Sequence, residues 1–167
     1  MPTPPLTPLA AAVLHVSPAP ERVLEIGCGD GDGTLFLARE FPAARVRGVD
    51  RSEDLIRAAT ARIGLDPEGR VAFKVGGRRS LPYPDAFFDL VAQIDGRAAI
   101  AEIVRVLRPG GHLVLARSQG PGGAIPRWPA RRRLARAGIE PVAAATAGAG
   151  SFYVGRRRGE DRAARAD

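Results

Sequence analysis

Apolar positions fall along this chain in two alternating rhythms. Leu6, Leu9, Val13 and Leu14 recur at helical spacing after a Pro-rich start, so residues 6–15 are expected to form a helix that covers a sheet. "ERVLEI" at 21–26 is a short, nearly continuous apolar run and reads as a buried strand. Leu35, Ala38 and Phe41 then suit a helix over 34–41, which Pro42 ends. "RVRGVD" at 45–50 is a second strand. Ser52 offers a cap and Glu53 and Asp54 first-turn negative charge to a third helix, which Gly64 is expected to close in the left-handed conformation.

"RVAFKV" at 70–75 and "FFDLVAQ" at 87–93 read as the third and fourth strands, separated by the turn-rich "LPYPDA". Ile100, Ile103, Val104 and Leu107 form one apolar helical stripe; "RPGG" is expected to break that helix, and "HLVLA" at 112–116 to form a fifth strand. A Pro/Gly-rich connection leads to a short basic helix over 130–137, two weak strands around 140–145 and 151–154, and an Arg-rich end without an apolar face. Strand and helix alternate, and no internal repeat appears. The order predicts one doubly wound α/β domain over residues 1–155, with a parallel sheet covered on both faces and a frayed tail over 156–167.

The chemistry concentrates in "VLEIGCGDGDGT", residues 23–34, directly after the first strand. Glycines there let the backbone turn sharply and approach a ligand. The dinucleotide fingerprint G-x-G-x-x-G fails, because counting from Gly27 its last position is Asp32. Glu25, Asp30 and Asp32 oppose a phosphate and favour a cation. Asp50 ends the second strand 19 residues beyond Gly31, where a carboxylate can accept both hydroxyls of a ribose. The pocket therefore suits a ribose-bearing ligand with positive charge and no phosphate. S-adenosylmethionine has these properties.

The bulk properties narrow the setting. The hydrophobic fraction of 45% and charged fraction of 26% are those of a soluble globular protein, and no apolar run reaches the ~18 residues needed to span a bilayer. The N-terminus lacks a signal-peptide pattern, and the lone Cys28 excludes an internal disulfide, so the cytoplasm is the expected compartment. Net charge is +7; residues 1–120 hold 15 basic and 14 acidic side chains, and residues 121–167 hold 10 and 4. A basic end can attract nucleic acid. Here almost every cation is Arg amid abundant Ala, Gly and Pro, which favours a compositional origin over nucleic-acid binding.

Four segments in order resemble one family: "VLEIGCGDG" (23–31), "GVDRSEDLI" (48–56), "LPYPDAFFDLV" (81–91) and "EIVRVLRPGGHLVLA" (102–116). They resemble the class I S-adenosylmethionine-dependent methyltransferases, in particular the small-molecule branch that includes the ubiquinone and menaquinone biosynthesis enzymes. Arg105, Leu107, Pro109, Gly110 and Gly111 fall on that family's "RVLKPGG" signature. The resemblance implies a Rossmann-like, mostly parallel seven-stranded sheet, helices on both faces, and an antiparallel last strand inserted between the fifth and sixth. It implies S-adenosylmethionine as cofactor and a small-molecule methyl acceptor. By the same resemblance Glu25 faces the methionine ammonium, and Gly27, Cys28, Gly29 and Gly31 form the loop under methionine and ribose. Asp50 binds the ribose hydroxyls, Arg51 lies beside the adenine, and Gln93 lies near the methionine end and the acceptor entrance.

Two departures qualify that picture. Where the family reads "GDA" after the third strand, with an Asp bonding the adenine amino group, this chain reads "GGRRS"; Gly77 replaces the carboxylate and leaves backbone amides near Arg78 to contact the ring. Only "AQIDGRAA" separates "FDLV" from the next helix, which shortens a segment that forms part of the family's substrate pocket. Asp95 is the carboxylate nearest the expected transfer edge; as Asp followed by Gly it reads first as a loop cap. The acceptor is expected to enter between this loop and segment 120–129. No "[DNS]-P-P-[YFW]" sequence is present, which argues against a nucleic-acid base as acceptor. A binding module that has lost turnover, or depends on a partner for it, is the alternative, followed by an RNA-directed enzyme and then an NAD-dependent one.

Overall fold

The computed structural model describes residues 6–120 and 125–159. In chain order the elements are α1 (Thr7–Val13), β1 (Arg22–Ile26), α2 (Asp32–Glu40), β2 (Arg45–Asp50), α3 (Glu53–Ala61) and β3 (Val71–Val75). They continue with β4 (Phe88–Ile94), α4 (Ile100–Val106), β5 (Leu107–Arg117), α5 (Trp128–Arg136), β6 (Ile139–Ala147) and β7 (Gly150–Arg157). All seven strands share one sheet in the order β3-β2-β1-β4-β5-β7-β6. β1 pairs in parallel with β2 and β4, β2 with β3, and β4 with β5, while β7 runs antiparallel to both β5 and β6. The doubly wound sheet with an inserted antiparallel last strand is thus observed.

Strand alternation divides the interior into two layers. Val23, Val46, Leu90, Ala92, Val114 and Val154 face Leu9, Ala12 and Val13 of α1 and Leu37 and Ala38 of α2. Their neighbours Leu24, Val49, Val91, Leu113 and Tyr153 face Ile103 and Val106 of α4 and Leu134 of α5. Adjacent residues point to opposite faces of a strand, so a doubly covered sheet needs apolar runs of this kind.

The structure corrects several boundaries. Leu107 is not helical: its φ/ψ of −82°/126° is extended, and β5 begins there, paired with Phe88. Pro109 disfavours the α conformation at Arg108, so the helix ends before "RPGG", and Leu107 keeps its buried place from the strand side. Arg62, not Gly64, caps α3, in a right-handed conformation. β7 runs to Arg157, beyond the expected start of the tail at 156; Arg157 donates to the carbonyls of Val104 and Leu107, and Arg156 to that of Gly110. Residues 160–167 of that tail lie outside the described residues. β6 forms one sheet edge, and Pro141 with the register shift beside it blunts further pairing there. No helix among the described residues is long and apolar enough to cross a membrane.

The signature "RVLRPGG" has a structural role. Arg105 donates to the carbonyls of Leu81 (3.1 Å) and Tyr83 (2.9 Å) and to the carboxylates of Asp85 (2.8 Å) and Glu102 (2.7 Å), while Glu102 accepts the Leu81 amide at 2.7 Å. The network pins "LPYPDA" to α4, and the hydrogen bonds from Arg105 hold the Glu102 carboxyl below its usual range. At the start of β4, Asp89 accepts the amides of Glu21 and Arg22, both at 2.8 Å, and pairs with Arg108. These contacts fix the register of β1 against β4, whose upper ends carry the site.

Candidate active site

The carboxyl ends of β1, β2 and β4 open onto a cleft of about 580 Å³. Gly27, the first residue of the glycine loop, lines it. Gly27, Gly29 and Gly31 have φ of 70°, 55° and 96°, a region that L side chains rarely adopt, so the loop's path requires glycine at these three positions. The amides of Gly27 and Cys28 both donate to the Val49 carbonyl, at 2.7 and 3.0 Å, tying the loop to β2. At Gly31 a Cβ would come within 2.8 Å of the Phe73 ring, which lets α2 start close to β3.

Asp50 stands at the end of β2 with its carboxylate fixed from two sides. Oδ2 accepts the Gly29 amide at 3.1 Å and Oδ1 the Ser52 amide at 2.9 Å, and each oxygen keeps a lone pair toward the cleft it lines. Gly77 turns back onto Ser80, whose amide donates to its carbonyl at 3.1 Å, and brings Arg78 and Arg79 to the rim.

Of the ten residues expected to form the site, Gly27, Asp50, Arg51, Gly77, Arg78 and Gln93 line this one cleft. Glu25, Cys28, Gly29 and Gly31 stand behind its lining. Glu25 is buried and points at the start of α2, where Thr34 Oγ1 donates to its Oε2 and a Cβ on Gly33 would collide with its Oε1. Burial pushes its carboxyl up to about 8, so it is protonated at neutral pH. Burial likewise pushes the Cys28 thiol far up, with Glu25 and Asp50 adding to the effect, which leaves it inert as a nucleophile. Asp32 pairs with Arg62 at 2.6 Å and Asp30 with the same guanidinium at 3.5 Å. The loop acids are therefore less exposed as charge than their formal count implies.

Gln93 and Asp95 connect this cleft to a second one of about 260 Å³. Gln93 Nε2 donates to the Arg97 carbonyl at 3.3 Å, leaving Oε1 buried and without a partner among the described residues. Such an acceptor costs about 1–3 kcal/mol until a donor reaches it, which marks a place for a ligand's N–H or O–H. Asp95 has φ 55° and accepts from Ser118 at both oxygens, from the amide at 3.0 Å and from Oγ at 2.8 Å. It caps the loop, as its Asp-Gly sequence indicates. Of the segment 120–129, residues 121–124 lie outside the described residues, and Pro126 lines the second cleft.

The sequence profile of the methyltransferase domain family matches residues 23–111, which carry this loop, Asp50, Gly77 and Gln93. The chain belongs to the methyltransferases. It is 35% identical over 127 residues to a fatty-acid O-methyltransferase of Mycolicibacterium smegmatis, a match covering 72% of this chain and 44% of that protein. It is 38% identical over 112 residues to the O-methyltransferase cnsE of Penicillium expansum, covering 62% and 40%. The chain therefore spans less than half the length of these relatives. Among solved structures, that of a SAM-dependent methyltransferase from Aquifex aeolicus superposes with a TM-score of 0.71 at 19% identity, covering 89% of this chain and 88% of that one. This likeness extends the class I methyltransferase fold over nearly the whole domain.

The cofactor of class I methyltransferases is S-adenosylmethionine, and the donor set of this cleft fits it. A carboxylate held by two amides suits a ribose diol, and the Gln93 oxygen, unpartnered among the described residues, suits an ammonium or hydroxyl donor. Sequence reasoning missed Ile26, Gly76, Arg79, Ile94 and Gly96 as lining residues. Their position at carboxyl strand ends was the available signal.

Proposed function

We propose that this methyltransferase moves the methyl group of S-adenosylmethionine to a small-molecule acceptor, as one domain over residues 1–155 acting in the cytoplasm. The observation that carries the reading is Asp50, whose carboxylate is aligned by the Gly29 and Ser52 amides at the mouth of the cleft. Asp50 would hold the ribose hydroxyls, Arg51 and the backbone at Gly77 and Arg78 the adenine, and Gly27, Cys28, Gly29 and Gly31 the floor beneath methionine and ribose. Glu25 and Gln93 would serve the methionine end, Glu25 by giving up its proton when a cation arrives. When bound, the cofactor supplies a methyl group already activated on a sulfonium, so alignment of the acceptor accounts for most of the catalysis.

The side chains present agree with that division of labour. Among the described residues the two clefts hold only two carboxylates, Asp50 and Asp95, and both are engaged by backbone amides. Neither is poised as a general base, which favours an acceptor that is nucleophilic as it enters. The small-molecule acceptors named for the relatives support the acceptor class. Isothermal titration with S-adenosylmethionine and S-adenosylhomocysteine tests the reading: one-to-one binding that Asp50→Ala weakens by at least tenfold is expected, and no heat at high micromolar ligand would overturn it.

A further inference from the structure

The second cleft has a chemistry of its own. Ile100, Leu115 and Leu134 give it apolar walls, and Arg97 just after β4, Arg117 at the end of β5 and Arg133 of α5 also line it. None of the three forms an ion pair among the described residues, although arginines elsewhere in the chain pair with Asp30, Asp32, Asp54, Asp85, Asp89, Glu102 and Glu140. The single carboxylate lining the cleft is Asp95, held by the Ser118 amide and hydroxyl, so three arginines face one acid there. At the neck shared with the first cleft, the buried Gln93 oxygen awaits a donor.

Three arginines without an ion-pair partner among the described residues thus line one partly apolar chamber, and the planar guanidinium fork matches carboxylate and phosphate oxygens. We propose that this chamber binds the methyl acceptor as an organic anion: a compact apolar body carrying a carboxylate or phosphate that Arg97, Arg117 and Arg133 receive. The chamber is the smaller of the two connected clefts, about 260 Å³ against about 580 Å³. That favours a single ring or a short chain over a long acyl tail. The proposal rests on the cofactor occupying the first cleft, since only then does the neck at Gln93 join donor to acceptor.

The test uses the full chain and direct binding. Benzoate, phenyl phosphate and the neutral isostere benzamide are titrated by isothermal calorimetry and ligand-observed NMR, with and without saturating S-adenosylhomocysteine, at low and at 0.5 M salt. At least one anion is expected to bind with a Kd at least tenfold below that of benzamide, weakening with salt; whichever of the two is tighter identifies carboxylate or phosphate as the partner. Arg97→Gln/Arg133→Gln should weaken the anion at least tenfold and leave S-adenosylhomocysteine binding within twofold. Both side chains are solvent-exposed, so the fold should survive, and Arg97→Lys/Arg133→Lys should recover part of the affinity. Equal binding of benzamide, an unaffected double Gln variant, or no anion binding beside normal S-adenosylhomocysteine binding would overturn the proposal while the methyltransferase reading stands. Absence of S-adenosylhomocysteine binding would instead remove that reading, and with it the role of the chamber as the acceptor site.

Discussion

Replacing Gly77 by Asp should tighten cofactor binding. In the related family an Asp at this place accepts the adenine amino group; here the backbone is free to receive one. A Cβ at Gly77 meets nothing within 4 Å, and its φ lies outside the left-handed region, so the new side chain costs neither clash nor backbone strain. The one hydrogen bond of Gly77 in the turn, the Ser80 amide on its carbonyl at 3.1 Å, involves only backbone and persists. A net hydrogen bond contributes about 0.5–1.5 kcal/mol, or about a twofold to twelvefold gain in affinity. Arg78 and Arg79 beside it compete for the carboxylate, which favours the lower half of that range. The assay is calorimetric titration of wild type and Gly77→Asp with S-adenosylhomocysteine and with S-inosylhomocysteine, which lacks the amino donor. A gain confined to the adenine ligand is expected. No gain, or the same gain with both ligands, would refute the placement of the adenine at Gly77.

Four further predictions concern the loop and its support. The Glu25 carboxyl is raised from 4.5 to about 8 in the folded chain, so the unfolded state releases a proton between these values and stability should fall as pH rises, by up to about 1.4 kcal/mol per unit; Glu25→Gln should flatten this dependence in urea titrations at pH 5.5 and 7.5. If a cationic ligand ionises Glu25, calorimetry in buffers of different ionisation enthalpy at pH 7 should show proton release that Glu25→Gln abolishes. Gly31→Ala, at φ 96° and with its Cβ 2.8 Å from the Phe73 ring and 3.2 Å from Ala59, should cost about 2–4 kcal/mol in urea unfolding. Arg105→Ala leaves the Leu81 and Tyr83 carbonyls without their guanidinium donor, and a loss of about 2–3 kcal/mol is expected by the same measurement.

The sheet and its order could be read from the chain because a doubly covered sheet imposes apolar runs on β1, β2 and β4, and helical stripes on the crossovers. Where burial was one-sided or the residues small, the pattern weakened. β6, rich in Ala and mostly exposed, gave little sign of its nine-residue length, and Leu107 was read into the helical stripe of α4 because its i+7 spacing fits there although it starts β5. In the site, the glycine loop and Asp50 were legible because they are a backbone requirement and a strand-end position, both local in sequence. The chamber arginines were not. Residues 97, 117 and 133 share no motif, and only the packing of α5 beside the ends of β4 and β5 brings them together.

The acids of the glycine loop change meaning most between sequence and structure. Counted as formal charges, Glu25, Asp30 and Asp32 make the loop strongly anionic. In the fold Arg62 takes up Asp30 and Asp32, and burial favours the neutral form of Glu25. The standing charge beneath the cleft is then carried by Asp50. A permanently ionised, buried Glu25 would cost several kcal/mol in desolvation, whereas a protonated one is tolerated and ionises only when a cation makes the charged form favourable. Discrimination by such a group acts on the bound state: a cationic methionine end repays the ionisation, and a neutral or anionic ligand of the same shape does not. On the proposed placement of the methionine end, selectivity for a cation would come from a carboxyl that is uncharged in the free protein, which a count of acidic residues does not reveal.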